Sequence, residues 1–136
     1  MKITKNDVGL LILRIGIGLL MLFHGIDKIS DISFIKMILS EKNIPEIFAY
    51  GVYVGEILAP IFLIIGYRVK IAAYVFISNC LSAVLLVFPD EIFSLNETGG
   101  WGIELLGLYM LGAITLVFTG GGNIALFNNF NNGEKV

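Results

Sequence analysis

Residues 71–88 contain no charged side chain. A helix on the outside of a water-soluble bundle carries a polar stripe at helical spacing, so this stretch cannot be such a helix. It belongs to a set of four apolar runs, at about 8–26, 47–66, 69–88 and 101–119. Roughly 20 mostly apolar residues suffice for a helix to cross a hydrocarbon core about 30 Å thick. The runs are bounded by residues that start or stop helices: Pro45 before the second, Gly66 after it, Pro89 after the third, Gly99 and Gly100 before the fourth, and Gly120 to Gly122 at the end. Composition agrees. In 136 residues, 57% are hydrophobic and 15% charged, with a mean hydropathy of +0.88. A small globule has too much surface for its volume to hide that apolar load from water. The expected fold class is an all-α membrane protein, a single domain over 1–136 built as a four-transmembrane-helix bundle with lipid as its solvent.

Several classes are excluded on the same page. The formal net charge is −2 and the basic residues are scattered, so no patch exists to bind nucleic acid. Cys80 is the single cysteine and has no partner for an internal disulfide. Lys2 and Lys5 before the first run imitate a signal peptide, but no small-x-small cleavage pattern follows Phe23-His24-Gly25, so the run is expected to be retained as a span.

Basic residues in short loops stay in the cytoplasm. With four spans, Lys2, Lys5, Arg68, Lys70 and Lys135 share one side. On the other side Lys28, Lys36 and Lys42 are offset by nearby acids, and the loop from Pro89 to Gly100 carries Asp90, Glu91 and Glu97 with no base. Both termini are therefore expected in the cytoplasm. The connection 27–46 holds Ile32, Phe34, Ile35, Ile38 and Leu39 and is expected to form a short amphipathic helix on the outer membrane surface; the competing reading is a plain loop. Residues 128–136 are expected to be a short polar tail.

Ionisable groups inside a bilayer are costly and need a partner or a wet cavity. Arg14, His24, Glu56 and Glu104 fall within the spans. Counting about 1.5 Å per residue from the cytoplasmic ends puts Arg14 roughly 10 Å in, Glu56 roughly 15 Å in, and His24 with Glu104 at about 22–25 Å. Depth predicts two pairs: Arg14 with Glu56, and His24 with Glu104, with Lys28 one turn beyond His24. Pro60, four residues after Glu56, removes the donor to the Glu56 carbonyl and should bend the helix there. Gly51 and Gly55 form a small-xxx-small pair suited to close helix packing. Imidazole is the side chain suited to carry protons, which makes His24 a candidate proton carrier, but one histidine and a distant cysteine do not make a metal site. Tyr50, Tyr53, Tyr67, Tyr109 and Trp101 suit the membrane interfaces, with Tyr53 and Tyr109 deep enough to line a cavity.

The order Arg14, His24-Gly25-x-x-Lys28, Pro45, Glu56, Gly66-x-Arg68, then Gly99-Gly100-Trp101-Gly102-Ile103-Glu104-Leu105-Leu106 and Gly120-Gly121-Gly122-Asn123-Ile124-Ala125-Leu126, resembles the DoxX family of small four-helix membrane proteins along nearly the whole chain. The closing corner departs from the family's Gly-Pro-Gly followed by a base and a serine. The resemblance implies a bacterial inner-membrane protein associated with quinone-linked respiration, sulfur oxidation or oxidative-stress complexes. No haem ligand pair, iron–sulfur ligand set, dinucleotide fingerprint or dithiol is present, so redox chemistry would need a borrowed cofactor, and enzyme status stays open. Three functions remain in play. The first is a quinone-binding subunit of a membrane redox complex, in which His24 and Glu104 handle protons and Arg14 and Glu56 shape the pocket. The second is a non-enzymatic scaffold or assembly factor with a partner protein. The third is a small transporter, which would require a homo-oligomer.

Overall fold

The computed structural model describes residues 2–126; the expected polar tail at 128–136, Lys135 included, lies outside them. Helix α1 covers Lys5–Ser30 and begins on a capping box, in which Asp7 N–H donates to the Thr4 hydroxyl and the Asp7 carboxylate accepts from Thr4 N–H. Helix α2 is short, Ser33–Glu41. Helix α3, Glu46–Ile65, opens as a 3-10 turn over Glu46–Tyr50 and passes through a π turn at Val54–Leu58. It ends at Gly66, whose φ of 80° allows Gly66 N–H and Tyr67 N–H to reach back to the Phe62 carbonyl. Helix α4 is Val69–Leu86 and α5 is Glu104–Thr119.

The four long helices form the bundle, and α2 folds over the end opposite Asp7 and Asn123, with Leu39 buried. Helices α1, α3 and α4, at 26, 20 and 18 residues, are long and apolar enough to cross a membrane. The 16-residue α5 is shorter than the expected span 101–119. Its first turn is lost because Leu95 and Trp101 pair as an antiparallel bridge and Gly102 N–H donates to the Ser94 carbonyl, which commits 101–103 to the preceding loop. Phe76, Cys80, Leu63, Ala113 and Leu116 are fully buried at the centre. Ile12, Leu19, Phe23, Leu85, Leu108 and Phe118 are exposed on the outward faces, the inverse of a soluble helix and what lipid solvent requires. This is a multi-pass membrane protein.

Glycine sets the closest helix contacts, though not all at the expected positions. Cβ atoms built on Gly18 and Gly25 of α1 would lie 3.1 Å from the Pro60 carbonyl oxygen and 2.5 Å from the Glu56 carbonyl oxygen. The α1–α3 approach therefore runs over these two glycines. Gly55 does pack tightly, against the Asn79 side chain of α4, whereas Gly51 faces open space. The expected pair of packing glycines is in fact one packing residue and one cavity wall.

Candidate functional site

The proline in α3 determines what surrounds Glu56. Pro60 cannot donate to the carbonyl four residues back, and the chain accommodates this with the π turn, in which Ala59 N–H donates to the Val54 carbonyl. The disturbance expected at Glu56 is seen as this π turn, a device common where helices carry function. The extra residue in the turn helps place the Glu56 side chain inside the bundle.

Glu56 does not pair with Arg14. Its Oε2 accepts from Lys28 Nζ at 2.7 Å, with side-chain exposures of 8% for Glu56 and 22% for Lys28. Its Oε1 receives a longer bond of 3.4 Å from Asn79 Nδ2. The Tyr53 hydroxyl donates to the Lys28 carbonyl at 3.0 Å and fixes the end of α1 against α3. Gly25, one turn before Lys28, is the residue level with Glu56, so the lysine stem reaches inward to the carboxylate.

Arg14 is fully buried at the other end of the bundle, where Nη1 donates to the Leu63 carbonyl at 3.0 Å and to the Ile64 carbonyl at 3.4 Å. Those are last-turn carbonyls of α3, short of intrahelical donors and at the negative end of the helix dipole. Depth alone paired Arg14 with the wrong acceptor because nearer main-chain oxygens were left out of the count. Nε and Nη2 of Arg14 have no partner among the described residues.

His24 and Glu104 are not brought together as a hydrogen-bonded pair either. Glu104 Oε1 accepts from Asn96 Nδ2 at 3.1 Å, and Asn96 also organises the loop by accepting from Gly100 N–H. A carboxylate in the first turn of α5 is also favoured by that helix's dipole. The His24 ring instead meets the edge of Tyr109, with centroids 6.5 Å apart and planes at 84°.

Two cavities adjoin the ion pair. The first, about 460 Å³, is lined by His24, Lys28, Glu56, Asn79 and Tyr109 among apolar side chains such as Leu106. The second, about 450 Å³, lies between α2, α3 and α4 and shares Glu56 and Asn79 with the first. Both volumes suit a small organic ligand. Tyr109 lines the first cavity as expected; Tyr53 lines neither.

The charge-based reading missed Asn79, although it is the one carboxamide in the uncharged stretch 71–88, and an uncharged polar group in that setting is itself a signal. It also missed Asp7. This buried carboxylate accepts from Asn123 N–H at 2.7 Å and Asn123 Nδ2 at 3.2 Å, tying the closing glycine corner to the start of α1. Asn123 thus performs a bridging role in the corner that departs from the family's usual pattern.

A bundle of apolar helices enclosing an ion pair and polar-walled cavities defines a small multi-pass α-helical membrane protein with an intramembrane polar site. The DoxX family model matches residues 9–89, more than half of the chain, and the protein belongs to the DoxX family. The match ends at the end of the third span, so α5 and the glycine corner lie beyond it. Searches of the curated proteins and of the solved structures found no match.

Proposed function

We propose that the protein is a subunit of a bacterial inner-membrane redox complex, with both termini cytoplasmic, and that it binds a quinone or a similar small lipophile in the first cavity. The observation that carries this reading is a cavity of about 460 Å³ whose apolar wall is interrupted by Lys28, Glu56, His24 and Tyr109. A quinone has an apolar ring and tail and two carbonyl acceptors. The Lys28 ammonium and the Tyr109 hydroxyl are donors suited to those oxygens. His24, exposed on the wall, brings an imidazole that can both donate and accept a hydrogen bond and so is the candidate proton-handling group. Electrons would come from a partner protein carrying its own cofactor. Glu104, held in the loop by Asn96 and absent from the cavity wall, is not needed for this role.

The test is quinone binding to the purified protein in neutral detergent, followed by mass spectrometry of retained lipid and by titration with a soluble short-tail quinone. Lys28→Met and His24→Ala should each weaken binding about tenfold, the scale of losing one hydrogen bond from a charged or polar donor. Affinity unchanged in both variants would remove this site. A partner protein retained without any quinone would favour the scaffold reading.

A further inference from the structure

The two cavities share Glu56 but differ in chemistry. The first carries cations and donors, Lys28 and His24. The second has no basic side chain on its wall, and its polar lining consists of Glu56, Asn79, Ser78 and Ser82. Both serines have already spent their protons within α4, since Ser78 donates to the Tyr74 carbonyl at 3.0 Å and Ser82 to the Ser78 carbonyl at 2.9 Å. What they offer to the cavity is oxygen lone pairs. Glu56 also has acceptor capacity to spare. A carboxylate accepts about four hydrogen bonds, yet Oε1 has only the 3.4 Å contact with Asn79, while Lys28 takes Oε2 from the other side. Val54 and Ser78 line this cavity and remain exposed, so it opens between α3 and α4 on the lipid-facing side.

We propose that the second cavity binds a protonated amine carried on an apolar tail, with the Glu56 carboxylate as its counter-charge. An ammonium group supplies the donors this wall lacks, and the tail occupies the surface formed by side chains such as Ile38, Val52 and Leu86. A phosphate-bearing aminolipid suits it less well, because no base in the cavity answers the phosphate. The amine and Lys28 draw on one carboxylate, so they compete. The site adjoins the quinone cavity, and the polar side chains common to both walls are Glu56 and Asn79.

The experiment is native mass spectrometry of the full chain in a neutral maltoside detergent, with dodecylamine, dodecanol and phosphatidylethanolamine offered separately. Wild-type protein should take one dodecylamine, with dodecanol bound at least about tenfold more weakly for want of the charge. Lys28→Met should tighten dodecylamine about tenfold by removing the competing cation, and Glu56→Gln should abolish its binding. Gly51→Leu gives an arm that leaves the ion pair in place: a Cβ there meets nothing within 4 Å, and Gly51 lines only the second cavity. This variant should lose dodecylamine and keep quinone, which separates failure of the amine site from failure of the quinone reading. Phosphatidylethanolamine should bind more weakly than dodecylamine, because no base answers its phosphate; binding as tight as dodecylamine would count against a free amine as the occupant. Equal binding of dodecylamine and dodecanol, or undiminished amine binding by Gly51→Leu, would overturn the proposal.

Discussion

Two double-mutant cycles distinguish the pairing seen in the bundle from the one depth suggested. Lys28→Met leaves a carboxylate that is 8% exposed, with one long contact to Asn79. Removing one partner of a buried pair costs about 3–5 kcal/mol, and this variant should fall near the lower limit, at about 3 kcal/mol, because the carboxylate keeps its Asn79 contact and borders two cavities. Glu56→Gln leaves an ammonium that is 22% exposed on a flexible stem, which can swing toward the headgroups, so its cost should be about 1–2 kcal/mol. The double variant buries no charge at this point and should cost about 1–2 kcal/mol. The Lys28–Glu56 coupling is then about 3 kcal/mol. The Arg14–Glu56 cycle should give less than about 0.5 kcal/mol, because Arg14 is seated at Leu63 and Ile64, about 12 Å along α3 from Glu56. Reversible unfolding by SDS in mixed micelles, followed by far-ultraviolet circular dichroism, reads both cycles. A large Arg14–Glu56 coupling beside a negligible Lys28–Glu56 coupling would refute this reasoning.

Four further outcomes follow from local geometry. Gly25→Ala should destabilise by about 1–3 kcal/mol, since its methyl meets the Glu56 carbonyl and Ile57. Gly9→Ala, with nothing within 4 Å, should stabilise by about 0.5–1 kcal/mol in the same assay. Asp7→Ala removes the α1 cap partner and the tie to Asn123 together, so hydrogen exchange should quicken at both 4–7 and 122–126; protection unchanged at the second segment would disprove the tie. Bonds from the Ser33 hydroxyl and N–H hold the Asp31 carboxyl below its ordinary range. A lowered folded-state value means that its support for the start of α2 is complete above about pH 4 and fades as pH falls through that lowered value. The protection factor of the Ser33 amide, which removes the intrinsic pH dependence of exchange, should therefore fall only on the acid side, and a protection factor independent of pH would contradict it.

The spans were legible because their signals are local: length, apolarity and glycine or proline at the ends. The α2 helix was legible for a similar reason, its apolar residues recurring at helical spacing. The start of α5 was not, because the bridge between Leu95 and Trp101 and the bond from Gly102 to Ser94 are tertiary choices that no hydropathy window registers. The polar residues were legible as a set, but their partners were not. Matching charges by depth ignored main-chain carbonyls, which claim Arg14, and carboxamides, which claim Glu104 and help hold Glu56. It also treated a lysine's depth as that of its Cα, although the side chain spans a helical turn. Pro60 was recognised as a disturbance, while the form it takes, a π turn over Val54–Leu58, and the seat of Gly25 of α1 against the Glu56 carbonyl are matters of backbone geometry that the residue pattern does not register.

These corrections divide the bundle along its length. At the end near the chain termini, Arg14 holds the last carbonyls of α3, Gly66 lies against Arg14 and Ala125, Leu126 N–H donates to the Ile65 carbonyl, and Asp7 holds Asn123. Every one of these contacts joins segments distant in sequence, and the main-chain groups involved cannot shift without moving a helix end. At the opposite end the ties are side chains with freedom to exchange partners: Lys28 with Glu56, Asn79 at 3.4 Å, and Lys36 Nζ with the Tyr50 hydroxyl at 3.2 Å. Both cavities lie at this second end, and Ile35 of α2 lines both. Of these side-chain ties only Lys36 with Tyr50 reaches α2, so a ligand that displaces α2 can leave the Lys28–Glu56 pair in place, while the helix ends locked around Arg14 and Asp7 hold the bundle together. The short helix over the cavities is the element that should move when either is filled, and the corner at Asn123 is the element that should not.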